Sequence, residues 1–161
     1  MELRVDLIEL YNSRLVRRWH NRPNVPTQTI GDHSFGMCLF LMALHPNPSR
    51  DLYEAVIRHD LSELVSGDFP HSTKNRFPVL CEIDEQCATE FAEKHELREL
   101  KLADDDKLWL KLLDQLEPLY YLYSQGLQNT KLYKEINEKV IEYTRKLQAF
   151  GYFTDATKTF H

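Results

Sequence analysis

The stretch from Phe35 to Leu44 admits few folds. Phe35, Met37, Cys38, Leu39, Phe40, Leu41, Met42 and Leu44 make a helix apolar on nearly every face, and a helix without a polar side has to be enclosed by other elements. Thr29 stands where its N-cap belongs, with Asp32 at the third helical position, close to a capping box. Only Asp32-His33-Ser34 brings polar groups into the first turns.

The rest of the chain supplies helices to enclose it. Residues 3–17 set Leu3, Leu7, Leu10, Tyr11 and Leu15 near a 3.6-residue period, which predicts an amphipathic helix. Pro23 and Pro26 make 21–29 a loop. After the break at His45-Pro46-Asn47-Pro48, Ser49 can cap a helix through Leu52, Ala55, Val56 and Ile57 into His59. Gly67-Asp68-Phe69-Pro70 breaks the chain again, and His71-Ser72-Thr73 opens a loop carrying Lys74 and Arg76. Further helices are expected at 78–97, at 104–126 and at 130–149. Asp104-Asp105-Asp106 suits the N-terminus of the second of these, and Gly126 its C-cap. The aromatic tail from Tyr152 is expected to pack on the body or on a neighbouring subunit. With no strand-like alternation or repeat, the prediction is all-α: a single-domain helical bundle over 1–161.

Composition narrows the class. At 161 residues, 42% hydrophobic and 28% charged, the chain can bury a core and is not disordered. No apolar run nears the roughly 18 residues of a membrane span, and Met1-Glu2-Leu3-Arg4 lacks a signal-peptide pattern, so a cytoplasmic protein is expected. Cys38, Cys81 and Cys87 are odd in number and form no C-x-x-C pair, which predicts reduced thiols. A net charge of −5 argues against stable nucleic-acid binding. A small anion stays possible given a metal and a few local cations.

Chemistry concentrates at Arg58-His59-Asp60-Leu61-Ser62-Glu63 and Gly67-Asp68. Adjacent helical side chains diverge by about 100°, so His59 and Asp60 share an ion only if it lies over the edge between them. Glu63 returns to that side if the helix persists, leaving a carboxylate to handle protons. A His-Asp pair alone is weak evidence. Asp114, set among Leu112, Leu113 and Leu116, is expected to be partly buried and to need a partner, for which a metal cation is one candidate.

Arg18-Trp19, Asp32-His33-Ser34, His59-Asp60 with Glu63 and Asp68, and Asp114 follow one another in an order that resembles the HD-domain phosphohydrolases. More narrowly, residues 14–125 are similar to bacterial 5′-deoxynucleotidases of the YfbR type and to small phage dATP triphosphohydrolases found beside diaminopurine biosynthesis. The resemblance implies that His33, His59, Asp60 and Asp114 hold a metal, and that Glu63 and Asp68 are the acid-base carboxylates in an order left open. It further implies that Arg18 and Lys74 hold phosphate, and that Trp19, with Ile30, shapes the sugar and base pocket. Two imidazoles and two carboxylates suit Zn, Mn, Co, Fe or Ni, and a second ion such as Mg fits the family. Asp32 departs from the expected Glu before the histidine, keeping charge with a shorter reach. The implied substrate is a deoxynucleotide: dATP, cleaved to deoxyadenosine and triphosphate, or a deoxynucleoside monophosphate. A catalytically silent HD-type module is the reading from another class. Assembly into a homo-oligomer is also expected from the family.

Overall fold

The computed structural model describes residues 6–154. In chain order these form α1 (Leu7–Ser13), β1 (Arg17–Arg18), β2 (Gln28–Thr29), α2 (Ile30–Leu44), α3 (Arg50–Arg58), α4 (Glu63–Ser66), α5 (His71–Arg76), α6 (Val79–Lys94), α7 (Asp104–Ser124) and α8 (Lys131–Gln148). The molecule is essentially all-α, as the periodicities predict. They divide into two compact units, Met1–Gly36 with Glu54–Leu100 and Met37–Tyr53 with Lys101–His161.

In the first unit, Asp6 caps α1 by accepting the N–H groups of Ile8 and Glu9 at 3.0 and 2.9 Å. The helix stops short of residue 17. Arg17 and Arg18 instead pair antiparallel with Thr29 and Gln28, so the expected loop at 21–29 is a turn closing a two-stranded ribbon. Two residues per strand leave no period to read, and the pairing gives backbone partners to a segment that Pro23 and Pro26 bar from helix. The ribbon leads directly into α2. Thr29 and Asp32 form the expected capping box, the Asp32 N–H on Thr29 Oγ1 at 3.1 Å and the Thr29 N–H on Asp32 Oδ2 at 3.2 Å. The next orphan donors, the N–H groups of Ile30 and Gly31, bond the carbonyls of Val16 and Arg14 at 2.9 Å each. That approach favours glycine at 31, since a Cβ there would lie 3.1 Å from the Arg14 Cβ and 3.2 Å from its carbonyl oxygen, closer than most Cβ contacts.

Two further expectations are corrected. Residues 71–76 are helical, their first turn closed by the N–H groups of Thr73 and Lys74 on the Pro70 carbonyl; a polar six-residue helix has no apolar stripe to announce it. α3, in turn, ends at Arg58, and 59–62 form a turn rather than a continuation. Glu54 and Arg98 brace that end: Arg98 Nε and Nη2 donate to Glu54 Oε2 at 2.9 and 2.6 Å, and Arg58 Nη1 donates to the Arg98 carbonyl at 2.8 Å.

In the second unit α7 packs along α8. Leu112, Leu113, Leu116 and Leu122 of α7 are wholly buried, as is Leu147 of α8, each such side chain contributing about 1.5–3 kcal/mol. α7 starts at the Asp104-Asp105-Asp106 run, where Asp106 accepts the Ala103 N–H at 3.3 Å. It closes in a Schellman turn: the N–H of Leu127 reaches the Leu122 carbonyl at 2.9 Å and that of Gly126, at φ 72, the Tyr123 carbonyl at 3.0 Å. From the aromatic tail, Tyr152 and Phe153 pack against Trp109 with ring centroids 5.2 Å away, and the Tyr152 hydroxyl donates to Asp105 at 2.9 Å. Phe160 and His161 lie outside the described residues.

α2 is not enclosed all round. Met37 and Leu41 are fully buried, but Phe35, Leu39 and Met42 are 67, 45 and 64% exposed. Their spacing of four and three residues makes a continuous apolar stripe.

Candidate metal and phosphate site

The first unit holds the polar residues that the sequence singled out, except Asp114. The capping box and the carbonyls of Arg14 and Val16 fix the start of α2, which places His33 one turn in, with its side chain fully buried. The 59–62 turn brings the HD pair to it. Asp60 Oδ2 lies 3.2 Å from His59 Nε2 and 3.9 Å from His33 Nε2, and the two imidazole centroids are 5.4 Å apart. Each of the three residues offers one ligand atom, and these atoms lie within 4.8 Å of one another. Donors about 2.0–2.2 Å from one cation in a tetrahedral arrangement sit roughly 3.3 Å apart, so the trio fits a transition-metal ion. His59 Nδ1 is 2.8 Å from the Val56 carbonyl. That contact puts a ring proton on Nδ1 and leaves Nε2 as the ring atom that faces Asp60.

Around the trio, charge is steeply graded. Burial alone would raise the Asp60 pKa, but His59, Arg18 and His33 more than offset it and hold the carboxyl well below its ordinary range. Arg18, arriving on β1, donates through Nη1 to Asp60 Oδ2 at 2.8 Å. Glu63 behaves in the opposite way. Burial, then repulsion from Asp60 and Asp68, pushes it up to about 9 against the pull of Arg18 and Lys74. Its Oε2 is buried without a hydrogen-bond partner among the described residues. A carboxyl so placed is a neutral acid at pH 7 that keeps a buried oxygen available to a ligand.

Asp68 follows Gly67, whose φ of 77 turns the chain, and is likewise raised, chiefly by burial. His20 Nδ1 stands 3.8 Å from its Oδ2. Lys74, on α5, bonds Asp84 of α6 at 2.5 Å; burial would lower its pKa, but Asp84 first and then Glu63 and Asp60 raise it. Trp19 is half-buried, with its backbone at φ 65 and its Nε1 donating to Gln28 Oε1 at 3.3 Å. A non-glycine residue in that left-handed region costs on the order of 1–3 kcal/mol, a strain common at ligand sites.

Residues 12–105 match the HD domain family, a stretch that contains every residue of this constellation. The chain belongs to the HD-domain family. Among solved structures, this HD domain is similar to the cyanophage S-2L HD phosphohydrolase (DatZ) bound to dA and one catalytic Zn2+ ion, with TM-score 0.64 and 21% identity over 94% of this chain and 88% of that one. At that identity the likeness is one of fold. No curated protein matches.

Within the HD domain, the structure places Arg18, His33 and His59 around Asp60, with Glu63, Asp68 and Lys74 close enough to shift one another's charge. Ile30 is wholly buried at the start of α2. Asp114 lies half-buried on α7, in the second unit, where its Oδ2 accepts from Gln115 Nε2 at 3.1 Å. Pro118, four residues on, has no N–H to offer the Asp114 carbonyl. Three participants escaped the sequence reading: Asp84, His20 and Gln28. Each acts through a partner distant in numbering, and none stands in a motif.

Proposed function

We propose that this HD domain, taken as one domain over 1–161, is a metal-dependent phosphohydrolase of deoxynucleotides, with dATP as substrate and deoxyadenosine and triphosphate as products. The observation that carries the reading is the convergence of His33, His59 and Asp60 within 4.8 Å, beside Glu63, whose Oε2 is buried without a hydrogen-bond partner among the described residues and whose carboxyl is pushed up, first by burial. DatZ, similar in fold, is described with dA and a catalytic Zn2+.

In this reading His33, His59, Asp60 and Asp114 hold a divalent transition metal, Zn with Co or Mn as substitutes, and a second ion such as Mg accompanies the substrate. When bound, the ion supplies Lewis acidity, drawing charge from the phosphoryl group and easing the deprotonation of water near neutral pH. The chain supplies the rest. Arg18 presents five N–H donors in a planar fork, reaching Asp60 with one and phosphate oxygens with others. Lys74, steered by Asp84, adds a point charge. One of Glu63 and Asp68 accepts the proton of the attacking water, and the other gives a proton to the departing 5′-oxygen as its bond to phosphorus breaks. Trp19 walls the sugar and base, with Ile30 behind it. Copies of the chain associate through apolar surface such as the α2 stripe, in keeping with a cytoplasmic oligomeric enzyme; among the described residues no helix is long and apolar enough to cross a membrane.

The second reading is a 5′-deoxynucleotidase acting on monophosphates, which breaks the same bond. The short His45-Pro46-Asn47-Pro48 connection and the extra cation Arg22 favour the triphosphate. Incubating the metal-loaded protein with ribo- and deoxynucleoside mono- and triphosphates, and resolving phosphate, pyrophosphate and triphosphate, decides between them. Triphosphate from dATP is expected. Phosphate from monophosphates alone would favour the nucleotidase, and absence of both turnover and stoichiometric metal would leave a non-catalytic HD module.

A further inference from the structure

Arg18 and Gln28 are cross-strand partners in the β1–β2 ribbon. Directly opposed residues of an antiparallel pair project from the same face, so the Gln28 carboxamide and the Arg18 guanidinium share one side. Trp19 comes next, and successive residues of an extended strand point to opposite faces. An extended Trp19 would therefore turn its indole away from Arg18. It is not extended: its φ of 65 breaks the alternation, and the indole Nε1 meets Gln28 Oε1 at 3.3 Å. Gln28 is 4% exposed, so this carboxamide is a fixed internal acceptor rather than a surface group.

We propose that Gln28 is a positioning residue that locks the Trp19 indole on the phosphate-binding face of the ribbon and so sets which nucleobase the site accepts. The inference rests on the deoxynucleotide reading given above and adds to it the group that aims the base wall. Arg18 ties the same face to the metal trio through Asp60. One rigid two-stranded ribbon thus fixes both ends of the substrate, the phosphate through Arg18 and the base through Trp19. A base stacked on the indole is then sensitive to small rotations of that ring. Gln28 controls those rotations without touching the base.

The test is a double-mutant cycle on deoxyadenosine binding, measured calorimetrically with the metal-loaded full chain in the variants Gln28→Met, Trp19→Phe and the two combined. Gln28→Met keeps volume and removes the acceptor. It is expected to weaken binding by about 3–10-fold, the loss of one buried hydrogen bond, to raise KM more than it lowers kcat, and to narrow the preference between deoxyadenosine and deoxyguanosine. In the Trp19→Phe background, which lacks the donor, adding Gln28→Met should no longer alter the preference between the two purines. A ligand-free readout accompanies it: the Trp19 indole N–H resonance, assigned by its absence in Trp19→Phe, should shift in Gln28→Met. A Gln28→Met effect on purine preference that persists in the Trp19→Phe background, or a Gln28→Met protein that binds and discriminates like the parent, overturns the proposal while leaving the hydrolase reading intact. A parent that binds no deoxynucleoside overturns both. Should Gln28→Met not fold, Trp19→Phe reads the same contact from the donor's side, and an unchanged preference between the two purines there refutes it equally.

Discussion

Asp60 and Glu63, three residues apart, are held in opposite protonation states. Imidazoles and a guanidinium keep the first ionised, while burial and two neighbouring carboxylates keep the second protonated. The two substitutions should separate accordingly. Asp60→Ala is expected to abolish both bound metal, by elemental analysis, and turnover. Glu63→Gln should retain the metal and lose about 10²–10⁴ in kcat; full activity in either variant would refute the assigned role. A pH effect on stability is expected elsewhere, at His45, which is buried against Trp109 and Tyr152. Burial lowers its pKa, with Asp106 and Asp105 opposing. The unfolded chain therefore takes up a proton near the ordinary value of about 6.5 while the folded one still resists. The resulting stability is fully present above that pH and is lost as pH falls toward the folded value. Thermal unfolding from pH about 7.5 to about 5.5 should show a steeper fall in Tm for the parent than for His45→Gln. At this scale the sequence was legible where a residue type announces its chemistry, as at His33, His59 and Asp60. It was silent on Gln28, whose role exists only because Trp19 adopts a left-handed backbone.

At the scale of elements, strong periodicity was enough to locate the long helices α6, α7 and α8 to within a few residues. The short elements that build the site carry no such signal. The two residues of β1 and the polar six of α5 show no period, and the end of α3 at Arg58 is set by the Glu54–Arg58–Arg98 brace, a contact spanning 44 residues. Leu61 and Leu64 prolong the apolar pattern through the very place where the chain turns. Helix starts were better marked, because a cap is a local chemical event. Thr29→Ala removes one half of the capping box that precedes His33 and is expected to cost about 1 kcal/mol, seen as a lower Tm, with weaker metal binding because the first turn of α2 frays. Unchanged metal affinity would mean that His33 is held by packing alone.

For the whole molecule, the apolar character of α2 predicts enclosure, and the structure leaves one side of it in solvent. Periodicity reports that a helix is apolar but not what covers it. If a second copy does, Phe35→Glu with Met42→Glu should lower the sedimentation coefficient to that of a single chain and improve solubility; unchanged assembly would place the contact elsewhere. The two compact units have a different consequence. Each is stitched from separate lengths of chain, 37–53 joining 101 onward and 54–100 joining the N-terminal part. The Lys101 N–H sits on Asp51 at 2.7 Å, and Phe40 packs on Tyr120. Neither unit can therefore be released by a single proteolytic cut or finished by a ribosome before synthesis has passed well beyond its first half. During translation His33 and His59 emerge early, but the unit that contains them closes only once Arg98 is available to brace the turn.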